Sequence, residues 1–236
     1  LRHAISVRPL DQENLARLST AYRCAGEAQA HLAFADPESL AVVSQLEPPE
    51  GFKDIDSFNR AVADRLRTLH TAKQHPTDQT LRGGTQTLGS LFAQQDPLIE
   101  QLKAQLEKAI ARVIGDMPDR SSHPFYQRKS PAFRFAGSWS VLLKTQGFHT
   151  NHIHPAGWIS SAYYINLPEE VEGAGHEGWF KIGETNPDTL PLLPVERWVK
   201  PQSGSLVLFP SYMWHGTQAF ARSAERLTVA FDVVPD

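Results

Sequence analysis

The sequence is poor in cysteine, in long apolar runs and in charge of a single sign. Its 236 residues contain one cysteine, Cys24, which excludes an intramolecular disulfide framework and a thiolate zinc site and favours a reducing compartment, by default the cytoplasm. No apolar run approaches the length of a membrane span, and the N-terminal residues lack the pattern of a secretory signal. With 23 basic and 26 acidic side chains and no basic block, we expect no nucleic acid and no membrane as a partner.

The composition is that of a globular domain that acts on a small molecule or a peptide. A hydrophobic content of 41% over this length supports one packed core with extra elements. The chain begins at Leu1 rather than at Met, which suggests a fragment of a longer protein. The presence of a further domain upstream is therefore left open. An uncovered sheet edge would favour pairing into a homodimer.

The first 120 residues carry the periodicity of helices. Apolar residues recur at helical spacing within residues 10–30 and again from Asp56 onward, with a proline-broken connector between them. The segment 82–87 is polar and contains Gly83-Gly84, which predicts a loop whose backbone comes close to another group. The clearest helix starts at Asp96-Pro97, and its apolar stripe should lie against a sheet: Leu98, Leu102, Leu106, Ile110 and Val113.

After Pro118 the sequence changes to short β-branched and aromatic runs separated by glycine and proline, which is typical of β-sheet. Candidate strands span residues 133–143, 158–166, 178–182, 205–209 and 227–234. The fold class we predict is α+β with a mainly β core. We expect a helical region at residues 1–120 that supports a sheet domain at residues 121–236.

Two histidines in the β-rich half, His152 and His154, are two positions apart. In an extended strand such residues share a face, so both rings can hold one metal ion. Imidazole is a neutral ligand near neutral pH that suits several transition metals. A strand-like segment at residues 204–210 and a turn precede His215, which makes it plausible that the fold brings this third histidine back to the pair.

Other ligand sets stay open at this point. His149 is an alternative to His154, although residues three apart on a strand would face oppositely. A carboxylate from the region of Glu177 or Asp188 is a further candidate.

A second pattern lies near the C-terminus. Arg226, Thr228, Ala230 and Asp232 alternate with apolar residues, so a strand would point the arginine and the threonine inward together. A buried arginine without a partner is costly, and a bound dicarboxylate could satisfy it through a bidentate contact.

These residues resemble the pattern of the Fe(II)/2-oxoglutarate-dependent oxygenases. In that family a His-x-Asp/Glu pair and a distant histidine are followed by an Arg or Lys that binds the distal carboxylate of 2-oxoglutarate. Here His152-Ile153-His154 resembles the pair, His215 the distant histidine, and Arg226-Leu227-Thr228 the Arg-x-Ser/Thr signature.

The resemblance implies a double-stranded β-helix, or jelly roll, with Fe(II) as the metal, 2-oxoglutarate as the co-substrate and dioxygen as the oxidant. It implies His152, His154 and His215 as metal ligands. Arg226 would bind the co-substrate, with Thr228 or Tyr164 adding a hydroxyl. The implied reaction couples oxidative decarboxylation of 2-oxoglutarate, which yields succinate, to hydroxylation of a substrate.

More narrowly, residues 151–155, 159–164 and 208–211 look like a bacterial and phage branch of this class that shares the His-x-His form, some members of which carry tetratricopeptide repeats upstream. One departure from the wider family matters, because His154 stands where the usual carboxylate ligand would be. A set of three histidines leaves the identity of the metal open, since imidazoles also accept zinc, nickel or copper.

Two other functions are compatible with the pattern. A cupin-type metalloenzyme would not bind 2-oxoglutarate and would leave Arg226 without a role. A non-catalytic jelly-roll module that binds a ligand or a protein would need no metal. The primary substrate is not assigned. Arg82, Gln86, His123 and Arg134 are candidates to face it, and Trp214, which is adjacent to His215, is the tryptophan that we single out as a candidate cleft residue.

Overall fold

Two antiparallel sheets and six α-helices form the part of the chain that the computed structural model describes, residues 2–71, 80–186, 188, 191–221 and 225–236. The helices are α1 (Arg2–Val7), α2 (Gln12–Cys24), α3 (Ala28–Ala35), α4 (Pro37–Leu40), α5 (Ile55–Leu69) and α6 (Pro97–Asp116). The strands are β1 (Val42–Gln45), β2 (Leu81–Gln86), β3 (Phe133–His149), β4 (Ile159–Asn166), β5 (Phe180–Ile182), β6 (Arg197–Val199), β7 (Ser205–Pro210), β8 (His215–Thr217) and β9 (Arg226–Pro235). None of the helices in these ranges is long and apolar enough to span a bilayer.

The larger sheet has six strands in the order β1-β7-β4-β9-β3-β2. Its central strands β4 and β9 are buried along nearly their whole length. In this sheet Asp232 of β9 lies opposite Ser160 of β4, and Arg226 at the start of β9 lies opposite Leu143 of β3. Because side chains alternate along a strand, Arg226 and Asp232 point to the same face of β9.

The smaller sheet has three strands in the order β6-β5-β8. An isolated antiparallel bridge between His152 and His215 attaches the segment after β3 to β8. The ring centres of Phe180 on β5 and Phe209 on β7 are 5.2 Å apart, and that of His215 lies 4.6 Å from Phe209. The two sheets therefore pack against each other around the histidine at the start of β8.

The N-terminal helices pack on the sheets, as predicted. Tyr163 of β4 donates its hydroxyl hydrogen to Asn59 Oδ1 of α5 at 2.7 Å, and Trp214 Nε1 donates to Thr20 Oγ1 of α2 at 3.2 Å. Helix α6 is capped by Asp96, whose carboxylate accepts from the backbone of Leu98 and Ile99. The buried stripe of α6 is turned slightly from the predicted one and consists of Ile99, Leu102, Leu106, Ile110 and Ile114.

Some sequence-based expectations for the first half were wrong. The segment around Gly83-Gly84 is not a loop but strand β2, paired with β3. A Cβ on Gly84 would lie 2.4 Å from the carbonyl oxygen of Leu142, so the group that the glycine backbone approaches is the neighbouring strand. The helix expected over residues 10–30 is two helices separated by Gly26, whose φ is 72°.

The connector expected after these helices contains β1, which pairs with β7. Strands β1 and β2 thus come from residues 1–120 but complete a sheet built mainly from residues 121–236. The division into a helical region and a catalytic domain near residue 120 stays a prediction.

Candidate metal and co-substrate site

The segment that carries His152 and His154 is held by backbone contacts rather than by a continuous strand. The amide of His152 donates to the carbonyl of His215 at 3.0 Å, and the amide of His215 donates back at 3.1 Å. The amide of His154, which lies outside the strands, donates to the carbonyl of Ser211 at 2.9 Å. These contacts join the His-x-His segment to both ends of the turn that precedes β8.

The structure brings the three predicted histidines together. His152, His154 and His215 each offer a ring nitrogen, and these atoms all lie within 4.8 Å of one another. The Nε2 atoms of His152 and His154 are 3.2 Å apart, and the ring centres of His152 and His215 are 4.2 Å apart. Within the described ranges this is the one group of three or more His, Cys, Asp or Glu residues with metal-binding geometry.

The outer nitrogen of each ring has an acceptor, which fixes the protonation pattern. His152 Nδ1 lies 2.7 Å from the carbonyl oxygen of Thr150, and His215 Nδ1 lies 2.9 Å from that of Met213. A carbonyl can only accept, so both Nδ1 atoms carry the hydrogen and donate it. The lone pair of each ring is therefore on Nε2, the nitrogen that a metal ligand presents.

The third ring has a different kind of partner. His154 Nδ1 lies 2.7 Å from Asp232 Oδ2, so this histidine donates to a carboxylate. Sequence reasoning placed Asp232 on the same strand face as Arg226 but gave it no role.

Burial keeps two of the histidines neutral. Desolvation, assisted by the neighbouring His154, lowers the pKa of His152 to about 3. Desolvation and the other two rings also lower the pKa of His215 well below its ordinary value. At neutral pH no proton competes for the Nε2 atoms of these two rings.

The histidines line a cavity of about 310 Å³ that also contains Arg226 and Thr228. Arg226 is only 2% exposed, and its Nε donates to the carbonyl of Gly178 at 3.1 Å. No acidic side chain forms an ion pair with it in the described part of the chain, and burial lowers its pKa. A buried cation that faces a cavity without an anionic partner is suited to an anionic ligand.

Tyr164 lies under this arginine rather than on the cavity wall. The guanidinium carbon of Arg226 is 5.1 Å from the centre of the Tyr164 ring. Burial raises the pKa of Tyr164 to about 12 against the opposing effect of the nearby Arg226. Its hydroxyl is buried and has no acceptor for its hydrogen among the described residues, so a donor beside the arginine is unused.

The alternative ligands considered from sequence are not part of the histidine group. His149 lines the same cavity, with its Nδ1 3.2 Å from Thr80 Oγ1 and its ring centre 5.8 Å from that of His152. Glu177 lines a separate surface pocket with other acidic side chains, and Asp188 is exposed.

Of the residues expected to face a substrate, Gln86 lines the cavity, whereas Arg134 forms an ion pair with Asp236 at 3.4 Å. Trp214, the candidate cleft residue, is not among the residues that line this cavity, and its Nε1 donates to Thr20 of α2. Trp139 lies at the site instead, with its ring nearly parallel to that of His154 at 5.8 Å between centres.

Comparison with known proteins gives a family match over the region that contains this site. The sequence profile of a family described as "Putative 2OG-Fe(II) oxygenase" matches residues 137–232, which contain the three histidines and Arg226. This region belongs to the 2OG-Fe(II) oxygenases. The family uses Fe(II) and 2-oxoglutarate, and its members are oxygen-dependent enzymes. No curated protein sequence matches the chain.

Solved structures of several hydroxylases and related enzymes share the fold of this chain. A prolyl-4-hydroxylase from Pseudomonas putida superposes with a TM-score of 0.54 at 16% identity, over 85% of this chain and 96% of that one. HygX from Streptomyces hygroscopicus, with nickel, 2-oxoglutarate and hygromycin B bound, gives 0.53 at 13% identity over 85% of each chain. A Trichoplax adhaerens prolyl hydroxylase in complex with a peptide fragment gives 0.54 at 12% identity, over 94% and 90%. The predicted double-stranded β-helix is confirmed.

Proposed function

We propose that this oxygenase is a hydroxylase in which His152, His154 and His215 hold Fe(II) and Arg226 binds the distal carboxylate of 2-oxoglutarate. The observation that carries the proposal is the shared cavity. Three imidazole rings converge at one place, and a buried arginine that forms no ion pair with an acidic side chain of the described residues faces the same space.

The donor set fits a divalent transition metal. Neutral imidazole nitrogens suit iron as well as zinc, nickel and copper, and three of them leave coordination positions for other ligands. A 2-oxoglutarate dianion would neutralise the metal charge that these neutral rings leave uncompensated. Three imidazole nitrogens with Arg226 in the same cavity favour the binding of a metal ion and a dicarboxylate together.

The region around Arg226 fits a carboxylate. Guanidinium groups bind carboxylates through two parallel hydrogen bonds, and the buried hydroxyl of Tyr164, which interacts with the guanidinium, is the group that we assign to a third. Thr228, two residues along β9 and also on the cavity wall, adds another hydroxyl. An orphan buried hydroxyl in the free protein would gain its partner only when the co-substrate is bound.

When bound together, iron and 2-oxoglutarate would reduce dioxygen, yielding carbon dioxide and succinate and placing one oxygen atom in a C–H bond of the substrate. The protein's own residues hold, orient and desolvate these components. Val141, Ile153 and Phe180 supply apolar walls that limit the access of water to the site.

The substrate is a small molecule or a peptide side chain, by analogy with the bound ligands named for the related structures. We assign Gln86 and Trp139, which also line the cavity, to the substrate side. The cytoplasmic location and the homodimer stay predictions from the sequence.

The experiment that tests the proposal is an anaerobic titration of the metal-free protein with Fe(II) and then 2-oxoglutarate. We expect a visible metal-to-ligand charge-transfer band in the wild type and a much weaker band in Arg226→Ala at the same concentrations. Arg134→Ala, which removes an exposed arginine, is the matched control and should leave the band unchanged.

Each other result points to a different function. Iron binding without the band would favour a cupin-type enzyme that does not use 2-oxoglutarate. Absence of metal binding would favour a binding module and refute the proposed activity. If the band forms, release of succinate in the presence of candidate substrates identifies the substrate class.

A further inference from the structure

The three rings of the candidate metal site differ in what lies behind them. His152 and His215 donate to backbone carbonyls, whereas His154 donates to the carboxylate of Asp232 at 2.7 Å. His154 is also the residue that stands where the wider family has a carboxylate ligand. The site thus contains a carboxylate, that of Asp232, which is separated from the position of the metal by the imidazole ring of His154.

Asp232 is held in a single orientation by other contacts. Its Oδ1 accepts the hydroxyl hydrogen of Ser160 at 2.7 Å, and the hydroxyl oxygens of Ser160 and Ser211 are 2.8 Å apart. Ser160 is the register partner of Asp232 across β4 and β9, so the strand pairing itself sets this contact. Each carboxylate oxygen has one fixed donor, which leaves little freedom for rotation.

Close packing also surrounds this group. A Cβ on Gly157 would lie 2.3 Å from Ser211 Oγ and 3.5 Å from the Cβ of Asp232. Glycine at this position leaves the serine where it can contact Ser160. In the described part of the chain, His154 is the one potentially cationic group within ion-pair distance of Asp232.

We infer that Asp232 is a positioning residue that supplies, through His154, the negative charge that a carboxylate ligand would otherwise place on the metal. The inference rests on the proposed function, since it assumes a metal held by the three histidines. Asp232 is not one of the three converging ligands; it acts on the donor strength and orientation of His154.

The physical basis is the coupling between the two nitrogens of an imidazole ring. A carboxylate that accepts from Nδ1 draws the proton toward itself, which raises the electron density on Nε2 and fixes the ring orientation. Loss of such an outer partner lowers metal affinity by roughly 10- to 100-fold. We expect that range for Asp232→Asn, which keeps the size of the side chain and removes its charge.

The first experiment compares Fe(II) and Co(II) affinities of the wild type, Asp232→Asn and Asp236→Asn by anaerobic titration. Asp236 is an exposed aspartate near the end of the same strand, paired with Arg134, and its variant should bind both metals as the wild type does. A wild-type affinity in Asp232→Asn would overturn the inference. Thermal unfolding of the metal-free proteins establishes that each variant is folded.

A second pair of variants separates an electrostatic role from a purely structural one. His154→Asp places a carboxylate in the ligand position, next to the carboxylate of Asp232. In the His154→Asp background the negative charge of Asp232 repels the new carboxylate ligand instead of accepting a hydrogen bond from an imidazole. Adding Asp232→Asn should therefore strengthen metal binding or leave it unchanged. If Asp232→Asn weakens binding to the same extent in both backgrounds, its role is structural and the inference fails.

A spectroscopic measurement on the full site gives a third readout. A less electron-rich iron is harder to oxidise, so the charge-transfer band of the Fe(II) complex with 2-oxoglutarate should move to higher energy in Asp232→Asn. Ser160→Ala, which removes one donor but keeps the charge, should shift the band less. An unmoved band in Asp232→Asn contradicts the inference, even where the variant binds metal more weakly.

These outcomes separate the inference from the proposed function. If the wild type binds no metal or forms no band with 2-oxoglutarate, the proposed function fails and the inference fails with it. If the wild type forms the band and the Asp232 variants match it in affinity and band position, the function stands and the inference alone is wrong.

Discussion

The guanidinium carbon of Arg226 lies 5.1 Å from the ring centre of Tyr164, and the buried hydroxyl of this tyrosine has no acceptor for its hydrogen among the described residues. Both side chains lack a partner that a carboxylate could supply. The arginine lacks an acidic partner in the described part of the chain, and the hydroxyl lacks an acceptor. In the proposed binding mode, one carboxylate group of 2-oxoglutarate would satisfy both.

Tyr164→Phe should therefore have opposite effects on binding and on stability. A hydrogen bond to a charged group contributes about 1.5–3 kcal/mol, so we expect 2-oxoglutarate to bind about 10- to 100-fold more weakly. The free energy of unfolding of the free protein should be unchanged or higher, because a buried hydroxyl without a partner is removed. Calorimetric titration and urea unfolding measure the two quantities.

Tyr163→Phe is the matched control for this variant. Its hydroxyl donates to Asn59 Oδ1 at 2.7 Å in the interface between α5 and β4. Its loss should lower stability by about 1 kcal/mol and leave 2-oxoglutarate affinity unchanged. Equal effects of the two variants on binding would contradict the assignment of Tyr164 to the co-substrate.

Gly84 tests the close approach of β2 to β3. Because an added Cβ would lie 2.4 Å from the carbonyl oxygen of Leu142, we expect Gly84→Ala to destabilise the protein by about 1–3 kcal/mol. Gly115→Ala lies in helix α6, where an added Cβ would meet no atom of the described residues within 4 Å beyond the adjoining helix backbone, and it should stabilise the protein by about 0.5–1 kcal/mol. Urea unfolding of both variants gives the signs, and a neutral Gly84→Ala would mean that the strands separate at no cost.

Short-range patterns in the sequence were enough to predict the parts of the site that depend on alternation. His152 and His154 share a side, and Arg226 and Thr228 both face the cavity, because neighbours two apart in extended chain point the same way. Convergence with His215 was inferred from the strand and turn before it. That inference needed the chain to return to the same place, which the resemblance to a known family made credible.

Features set by long-range pairing could not be predicted in the same way. Strand β2 contains two glycines and has little intrinsic preference for a strand, so its structure comes from pairing with β3. The contact of Asp232 with Ser160 depends on the register of β4 against β9, which no local pattern encodes. The stacking of Trp139 on His154 is likewise a contact that no local pattern predicts, because the tryptophan lies within β3 and the histidine lies after that strand.

Removal of metal should destabilise the protein measurably. A ligand at 100 times its dissociation constant stabilises the folded state by about 2.7 kcal/mol, which corresponds to a rise in Tm of roughly 5–10 °C for a chain of this size. We expect Co(II) to give such a shift in the wild type and a chelator to reverse it. Differential scanning calorimetry under anaerobic conditions measures the shift.

The histidine variants decide where this metal binds. His215→Ala should lose the Co(II)-dependent shift, because one of three converging nitrogens is missing. His176→Ala changes a histidine that stacks on Trp198 and is not part of the histidine group, so it should retain the shift even if its own Tm is lower. A shift that survives in His215→Ala would place the metal elsewhere.

The stability of the metal-free protein should fall as the pH is lowered. Desolvation lowers the pKa of His152 to about 3 and that of His70 to about 4, while both groups have a pKa near 6.5 in the unfolded chain. Below pH 6.5 the unfolded chain therefore binds protons that the folded protein does not. The stabilisation is complete above pH 6.5 and is lost as the pH falls toward the pKa of the folded state, at up to about 1.4 kcal/mol per pH unit for each group.

His70 allows one contribution to be isolated, because it lies away from the three candidate ligands. Its two ring nitrogens contact Thr85 Oγ1 at 2.8 Å and Ser140 Oγ at 3.0 Å, which links the end of α5 to strands β2 and β3. We expect His70→Gln, which cannot titrate, to reduce the loss of stability between pH 6 and pH 5 by up to about 1.4 kcal/mol. Urea unfolding of the two proteins at both pH values gives the difference directly. An identical pH dependence would show that His70 is protonated in the folded state as readily as in the unfolded chain, against the burial that this structure gives it.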